Sequence, residues 1–218
     1  MLLNSPYSKI KNDLCVVFSA DERYARYCAV ALLSILKNAS NPWQFHFQII
    51  SPDFSEQSID RVSKLCIKFG AKVSFVPINL SRFKSLPTTQ DHLNLNVYSR
   101  LCAPEICKTF SKIIVIDCDL IVLGNLSELF NFNLESKVIA AVPHVQFPYQ
   151  KVFQEKFCPK GEDIYFNAGV MLIDTIKWCQ QRYTDTLLRW ATDYSSQLFY
   201  NDQDALNAVF WENYYHLP

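Results

Sequence analysis

Residues 112–126 read KIIVIDCDLIVLGNL, an apolar strand pattern that runs into a pair of aspartates. Lys112–Ile116 is the most β-branched run in the chain, which predicts a central β-strand. Asp117 and Asp119 follow it directly, with Cys118 between them. Ligands of α/β sheets gather at the carboxyl ends of the strands, so this pair of carboxylates is a candidate site.

On both sides of this run, apolar strand patterns alternate with helical patterns. The alternation predicts an α/β fold in which helices flank a mostly parallel sheet, and the length of 218 residues fits one domain, 1–218. The other strands are predicted at 13–18, 45–50, 72–76, 138–142 and 169–173. The helices are predicted at 24–37, 59–69, 97–107, 175–190 and 202–210. Loops are predicted at 78–96 and at 143–163, the second as a functional loop or lid.

The composition excludes several classes of protein. Lys plus Arg and Asp plus Glu both number 21, so no net charge draws the chain to nucleic acid or to an anionic membrane. The four glycines fit neither common phosphate-loop pattern, which excludes the ordinary dinucleotide-binding fold and the P-loop NTPases. We expect no secretory signal and no transmembrane segment. The eight cysteines form no C-x-x-C pair and are predicted to be reduced core thiols of a cytosolic protein.

The two aspartates have two interpretations. Paired carboxylates suit a hard cation such as Mg²⁺ or Mn²⁺, which keeps coordination positions free for phosphate. A helix-capping or salt-bridged pair fits the same residues, because D-x-D alone is a weak signal. The residues by themselves leave both interpretations open.

Two further blocks precede this motif. In SADERY, Ser19, Asp21 and Tyr24 suit a nucleoside, but a capping box of Ser19 with Glu22 is the favoured interpretation. In NVYSRL, Arg100 suits a phosphate or a sugar hydroxyl, whereas most such arginines are solvated surface groups.

Two more blocks follow the motif. In YFNAGVM, Asn167, Ala168 and Gly169 indicate either a close approach of a ligand to the strand or a β-bulge. In NDQD, Asp202 and Gln203 either point into a cleft or belong to the capped first turn of a helix.

Together, these five blocks resemble glycosyltransferase family 8 in order and spacing, from about residue 13 to residue 218. The matching segments are FSADERY, NVYSRLCAPEI, IIVIDCDLIVLGNLSELF, YFNAGVMLIDTIKW and NDQDALN. The resemblance implies a GT-A fold and retaining transfer of galactose or glucose from a UDP-sugar to a glycan acceptor, with Mn²⁺ or Mg²⁺. It also implies a role in lipopolysaccharide or surface polysaccharide synthesis, in the cytoplasm and at the inner face of the membrane.

The resemblance also implies a role for each block. Ser19, Asp21 and Tyr24 would contact the uridine, and Asp117 and Asp119 would hold the metal, with Asp117 shared with the ribose or sugar. The donor's sugar and phosphate oxygens would be held by a second set: Arg100, Asn167, Ala168 and Gly169. Asp202 and Gln203 would be the catalytic pair, on the sugar face opposite the leaving group.

The sequence departs from the family pattern at two places. Arg23 stands where the family usually has Asn, which we expect to change the nucleotide contacts. The sequence also ends before the family's H-x-x-G-x-x-K block and its membrane-associating basic tail, so we expect a C-terminally incomplete domain with weakened metal and diphosphate binding. The alternatives are a non-catalytic nucleotide-sugar or protein-binding remnant and a Mg²⁺-dependent phosphohydrolase, whose D-x-D-x-[TV] motif is broken here by Ile121.

Overall fold

The computed structural model describes residues 13–88, 95–158, 160 and 163–218. The strands in these segments are β1 Leu14–Ser19, β2 Phe45–Ser51, β3 Lys72–Pro77, β4 Lys112–Ile116, β5 Ile139–Pro143, β6 Phe166–Asp174 and β7 Tyr214–His216. The α-helices are α1 Ala25–Asn38, α2 Glu56–Lys68, α3 Ala103–Ile106, α4 Ser127–Phe130, α5 Gln150–Phe157, α6 Thr175–Gln180, α7 Tyr183–Asp193 and α8 Asn201–Phe210.

The strands form one mixed sheet in the order β3-β2-β1-β4-β6-β5-β7. Strand β6 is antiparallel to both of its neighbours, and the other four pairings are parallel. The carboxyl ends of β1, β4 and β5 therefore lie at the same edge of the sheet as the amino end of β6. The predicted α/β fold with a mostly parallel sheet is confirmed, and β6 is the strand that makes it mixed.

The central strands are apolar on both faces because helices cover both sides of the sheet. All seven residues of β2 and the four central residues of β1 are buried. Helix α1 packs on them through the stripe predicted from its spacing, which includes Cys28, Leu32 and Ile35. All eight cysteines are free thiols and seven are buried, as predicted.

A crevice opens within the sheet because β4 is shorter than β6. The last bond between these strands runs from the Asp117 N–H to the carbonyl oxygen of Gly169, at 2.8 Å. Beyond it, β6 continues to Phe166 with no described strand on that side. Side chains from α8 and from Arg100 bond to this free edge instead, so the edge becomes one wall of the candidate site.

Several predicted elements differ from the structure. The stretch 143–163 was expected to be a loop, but it contains α5, which forms because Phe153 is buried among other aromatic rings. The predicted helix 175–190 is two helices, since Arg182 takes the left-handed conformation with φ of 54°. The stretch 97–107 begins in a 3₁₀ segment, Leu95–Cys102, before α3. The loop 78–96 contains a short 3₁₀ segment, and its residues 89–94 lie outside the described residues.

A second, smaller core lies beside the main one. We call it the aromatic cluster, and it consists of Phe147, Phe153, Cys158 and Tyr165. The Phe147 and Tyr165 rings stack with their centroids 3.8 Å apart. This cluster lies at the amino end of β6, next to α8. Within the described residues, no helix has the length and apolar character needed to cross a bilayer.

Candidate functional site

The end of β1 carries a capped turn, but its capping residue differs from the prediction. Asp21 caps the turn by accepting a bond from the Tyr24 N–H at 3.3 Å. Glu22, the expected capping partner of Ser19, instead accepts bonds from the Ser55 N–H and from the hydroxyls of Ser55 and Ser58, at the start of α2. The predicted capping box is therefore wrong, because Glu22 finds donors in the neighbouring helix.

Arg23 forms an ion pair with the same aspartate. Its Nε and Nη2 atoms both donate to Oδ2 of Asp21, at 3.0 and 2.8 Å. Asp21 is buried while the Arg23 side chain is 63% exposed. The positively charged side chain of Arg23 therefore lies at the rim of the pocket described below, at the position where this sequence departs from the family pattern.

The Arg100 side chain is only 15% exposed, and the interpretation of it as a solvated surface group is wrong. Its Nη2 donates to Oδ1 of Asp117 at 2.6 Å, and its Nη1 donates to the carbonyl oxygen of Ala168 at 2.9 Å. Its Nε lies 3.0 Å from Oδ2 of Asp202, which is an ion pair without hydrogen-bond geometry. Burial alone would lower the pKa of Arg100, but Asp117 and Asp202 raise it above its ordinary value.

Asp117 and Asp119 share the pocket but differ in their surroundings. One oxygen of Asp117 is held by Arg100, whereas the Asp119 side chain is exposed. Cys118 turns into the core, and burial, with smaller effects of the neighbouring aspartates, raises the pKa of its thiol to about 12. The motif therefore presents two carboxylates to the pocket, with a largely buried thiol between them.

The β6 segment brings Gly169 against the first of these aspartates. A Cβ atom on Gly169 would lie 2.7 Å from Oδ2 of Asp117 and 2.7 Å from Oδ1 of Asn167. The pairing register of β5 with β6 also shifts here, between Ala141 and Val142. The β-bulge interpretation is therefore confirmed, and the groups that approach the backbone of Gly169 closely are the side chains of Asp117 and Asn167.

We expect Gly169→Ala to lower the free energy of unfolding by about 1–3 kcal/mol, because the added methyl group must displace the Asp117 carboxylate from Arg100. Gly124→Ala is the matched control, since a Cβ there would meet nothing within 4 Å. Chemical denaturation of both variants measures the difference. Equal stability of the two variants would contradict the close approach.

Helix α8 contributes the last two predicted residues. Asp202 is buried beside Arg100, and burial, opposed by the Arg100 charge, raises the pKa of its carboxyl to about 6. The Gln203 Oε1 atom accepts a bond from the Ala168 N–H at 2.8 Å. Gln203 therefore bonds to the free edge of β6 and Asp202 contacts Arg100, so the two residues do more than cap their helix.

An open pocket of about 160 Å³ lies at this edge of the sheet. It is lined by Ser19, Ala20, Asp21, Arg23, Tyr24, Asn96, Val97, Arg100, Asp117, Cys118 and Asp119. The other predicted residues, Asn167, Ala168, Gly169, Asp202 and Gln203, do not line this pocket. They are joined to it through Arg100 and Asp117.

Asn96 and Val97 are among the pocket residues that the sequence reasoning did not single out as candidates. Asn96 is buried, accepts a bond from the Ser19 hydroxyl on its backbone oxygen, and accepts another from Ser99 on its side chain. It begins the NVYSR block, so its place in that block was the available signal. Val97 follows it and had no polar signal at all.

The residues present fit a hard cation in part. Asp117 and Asp119 offer carboxylate oxygens, the donors that Mg²⁺ and Mn²⁺ prefer. In the described segments, no group of three or more His, Cys, Asp or Glu side chains is placed to hold a metal ion. Such a cation would therefore take its other ligands from water or from phosphate, as Mg²⁺ commonly does.

The arrangement matches that of sugar-transferring enzymes with a GT-A fold. The structure of the galactosyltransferase LgtC in complex with donor and acceptor sugar analogs aligns with a TM-score of 0.86 at 26% identity, covering 93% of this chain and 73% of that one. A family model described as glycosyl transferase family 8 matches residues 15–218. Because the match spans nearly the whole chain, the chain belongs to this family.

Two curated relatives allow the length of this chain to be compared with that of other proteins in the family. A Haemophilus influenzae protein is 30% identical over 194 residues, which cover 89% of this chain and 58% of that protein. A lipopolysaccharide 1,2-glucosyltransferase of Escherichia coli is 29% identical over 209 residues, which cover 93% of this chain and 60% of that enzyme. The chain thus spans less than two thirds of the length of both.

Proposed function

We propose that this domain is a retaining glycosyltransferase that moves galactose or glucose from a UDP-sugar to a glycan acceptor in surface glycan synthesis. The observation that carries the proposal is the pocket itself. It joins the residues after β1 to the aspartates after β4 in a chain of this family. We place the domain in the cytoplasm, at the inner face of the membrane.

Under this proposal, the end of β1 binds the nucleotide. Tyr24 is half-buried and offers a ring to the pocket, on which a uracil base can stack. Asp21 and Ser19 offer hydrogen-bonding groups beside it. The Arg23 guanidinium uses two of its donors on Asp21, and its other donors suit a carbonyl or phosphate oxygen.

We expect Tyr24→Ala to raise the donor KM about tenfold and to change kcat less than about twofold, because stacking on a base contributes equally to the ground and transition states. Tyr27→Ala is the matched control. The Tyr27 ring lies 5.7 Å from the Tyr24 ring, is 44% exposed and does not line the pocket. Steady-state kinetics with UDP-glucose and UDP-galactose test this, and an unchanged KM in Tyr24→Ala would reject the stacking role.

The residues around Ala168 are proposed to hold the sugar. Asn167, Ala168 and Gly169 would line its pocket, and Arg100 would orient its oxygens together with those of the phosphate. Positive charge develops on the sugar as its bond to the diphosphate breaks, and the Asp202 carboxylate and the Gln203 amide oxygen would stabilise it. Gln203 is a weak nucleophile whose oxygen already accepts a backbone bond, so we favour attack from the same face as the leaving group.

A divalent cation held by Asp117 and Asp119 would neutralise the negative charge that grows on the leaving diphosphate. The chain's own part is to hold the Asp117 carboxylate in place. Arg100 does this by donating to one of its oxygens, and Gly169 by leaving room for the other.

The direct test measures UDP release and sugar transfer by the isolated chain from UDP-galactose and UDP-glucose, with Mn²⁺ and with EDTA. We expect cation-dependent release of UDP from one of these two donors. We expect no release of phosphate from p-nitrophenyl phosphate. UDP binding without any turnover would favour a nucleotide-sugar-binding remnant. Phosphate release from the phosphoester, with UDP ignored, would favour a phosphohydrolase.

A further inference from the structure

Asp204 lies two residues after Asp202 on α8 but bonds to different groups. It is fully buried, and its Oδ1 accepts a bond from the Tyr165 hydroxyl at 2.6 Å. Its Oδ2 accepts bonds from the backbone N–H groups of Phe199 and Tyr200. Burial raises the pKa of this carboxyl, while these three bonds oppose the rise. None of the three donors lines the pocket, so this carboxylate is satisfied away from it.

The bonds of Asp204 determine which groups donate and which accept along a longer series of hydrogen bonds. An ionised carboxylate only accepts, so the single hydroxyl proton of Tyr165 goes to Asp204. The Tyr165 oxygen can then only accept, and its second neighbour is the Nε2 atom of Gln203 at 3.3 Å. An amide nitrogen only donates, so this contact has the matching polarity.

The orientation of the Gln203 amide follows from this polarity. With Nε2 directed to Tyr165, Oε1 is directed to the Ala168 N–H, which is 2.8 Å away and can only donate. A reversed amide would place its Nε2 donor against the Ala168 N–H, which is also a donor. It would also place its Oε1 acceptor against the Tyr165 oxygen, whose proton is already donated to Asp204. The Tyr165 hydroxyl and the Ala168 N–H therefore select the same orientation of the Gln203 amide.

Ala168 connects this series of hydrogen bonds to the pocket. Its carbonyl oxygen accepts from Nη1 of Arg100 at 2.9 Å, and Nη2 of the same guanidinium donates to Asp117 at 2.6 Å. A line of hydrogen bonds thus runs from buried Asp204 to the first aspartate of the D-x-D motif. The Tyr165 ring is fixed by stacking on Phe147 at 3.8 Å, so its hydroxyl has little freedom to move.

We propose that Tyr165 and Asp204 are positioning residues that set the Gln203 amide and, through it, the backbone of 167–169. Neither residue lines the pocket. The effect on turnover rests on the proposed function, whereas the effect on the Ala168 peptide belongs to the folded chain alone.

The first test uses the protein without substrate. In Tyr165→Phe, the ring keeps its packing but the Gln203 Nε2 loses its partner. We expect amide hydrogen exchange at Ala168 to become about tenfold faster than in the wild type. Tyr214→Phe is the matched control, because Tyr214 is also buried and its hydroxyl donates to the Ile164 carbonyl at 2.7 Å, outside this chain of bonds. The Val17 amide in β1 serves as the reference for global stability.

Equal acceleration at Ala168 and Val17, or the same exchange in both Phe variants, would overturn the positioning role. The second test is kinetic, and we expect Tyr165→Phe to lower kcat about tenfold with the donor KM within about twofold. A raised KM with unchanged kcat would also overturn it. If the wild-type chain transfers no hexose, the proposed function fails, and the exchange measurement still decides the positioning role.

Discussion

Replacing Asp119 with asparagine is expected to reduce cation-dependent turnover by at least about 100-fold. The change removes one of the two carboxylates of the D-x-D motif and leaves only Asp117, which forms an ion pair with Arg100. Electrostatic stabilisation of a developing charge is commonly worth this much or more. Because Asp119 is exposed, we expect the free energy of unfolding to change by less than about 0.5 kcal/mol.

Asp60→Asn provides the matched control for the same chemical change. Asp60 is exposed on α2, pairs with Lys64 and lies outside the pocket. Calorimetric titration of both variants with MnCl₂ and UDP measures binding separately from turnover. Wild-type affinity for Mn²⁺ together with full turnover in Asp119→Asn would show that the aspartate has no part in the site.

Replacing Arg100 with methionine is expected to lower the free energy of unfolding by about 3 kcal/mol at pH 7, and to abolish measurable turnover. The substitution leaves the carboxylate of Asp202 buried without its cation, which is among the costliest changes in a folded protein. Arg182→Met is the matched control. Its guanidinium is 81% exposed and pairs with Asp185 within one helical turn, so its loss should cost at most about 0.5 kcal/mol.

The Arg100 variant should regain part of its stability on acidification. Burial already raises the pKa of Asp202 to about 6, and loss of the Arg100 charge raises it further. The folded state then binds more protons than the unfolded state above pH 4, so stability falls as the pH rises through this range. Denaturation curves at pH 5 and pH 7 measure the effect. A deficit relative to wild type that stays the same at both pH values would contradict the buried pairing with Asp202.

Local patterns in the sequence were sufficient to predict the strands whose ends carry the candidate site. The β-branched run of β4 predicted a central strand, and the aspartates after it were predicted to form a site at the carboxyl end of that strand, where they line the pocket with the residues after β1. Such inferences succeed because they depend on strand direction and on alternation of apolar residues, which neighbouring residues determine.

Contacts between distant segments account for what the sequence could not predict. The residues alone favoured a solvated surface group for Arg100, yet its side chain is only 15% exposed because Asp117 and Asp202 arrive from two other elements. Glu22 was assigned to a cap, yet it bonds to Ser55 on the next strand–helix connection. In both cases, the neighbouring residues in the sequence give no sign of the contact. The position of the side chain depends on partners that come close only after the sheet has assembled.

The antiparallel insertion of β6 has a consequence for the growing polypeptide on the ribosome. Strands β3, β2, β1 and β4 can assemble as soon as residues up to 116 have emerged, because their pairings involve only that half of the chain. The outer side of β4 then stays bare until Phe166–Asp174 has been translated. An unprotected apolar strand of this kind invites association with other nascent chains, so conditions that slow elongation between these points should increase aggregation during expression.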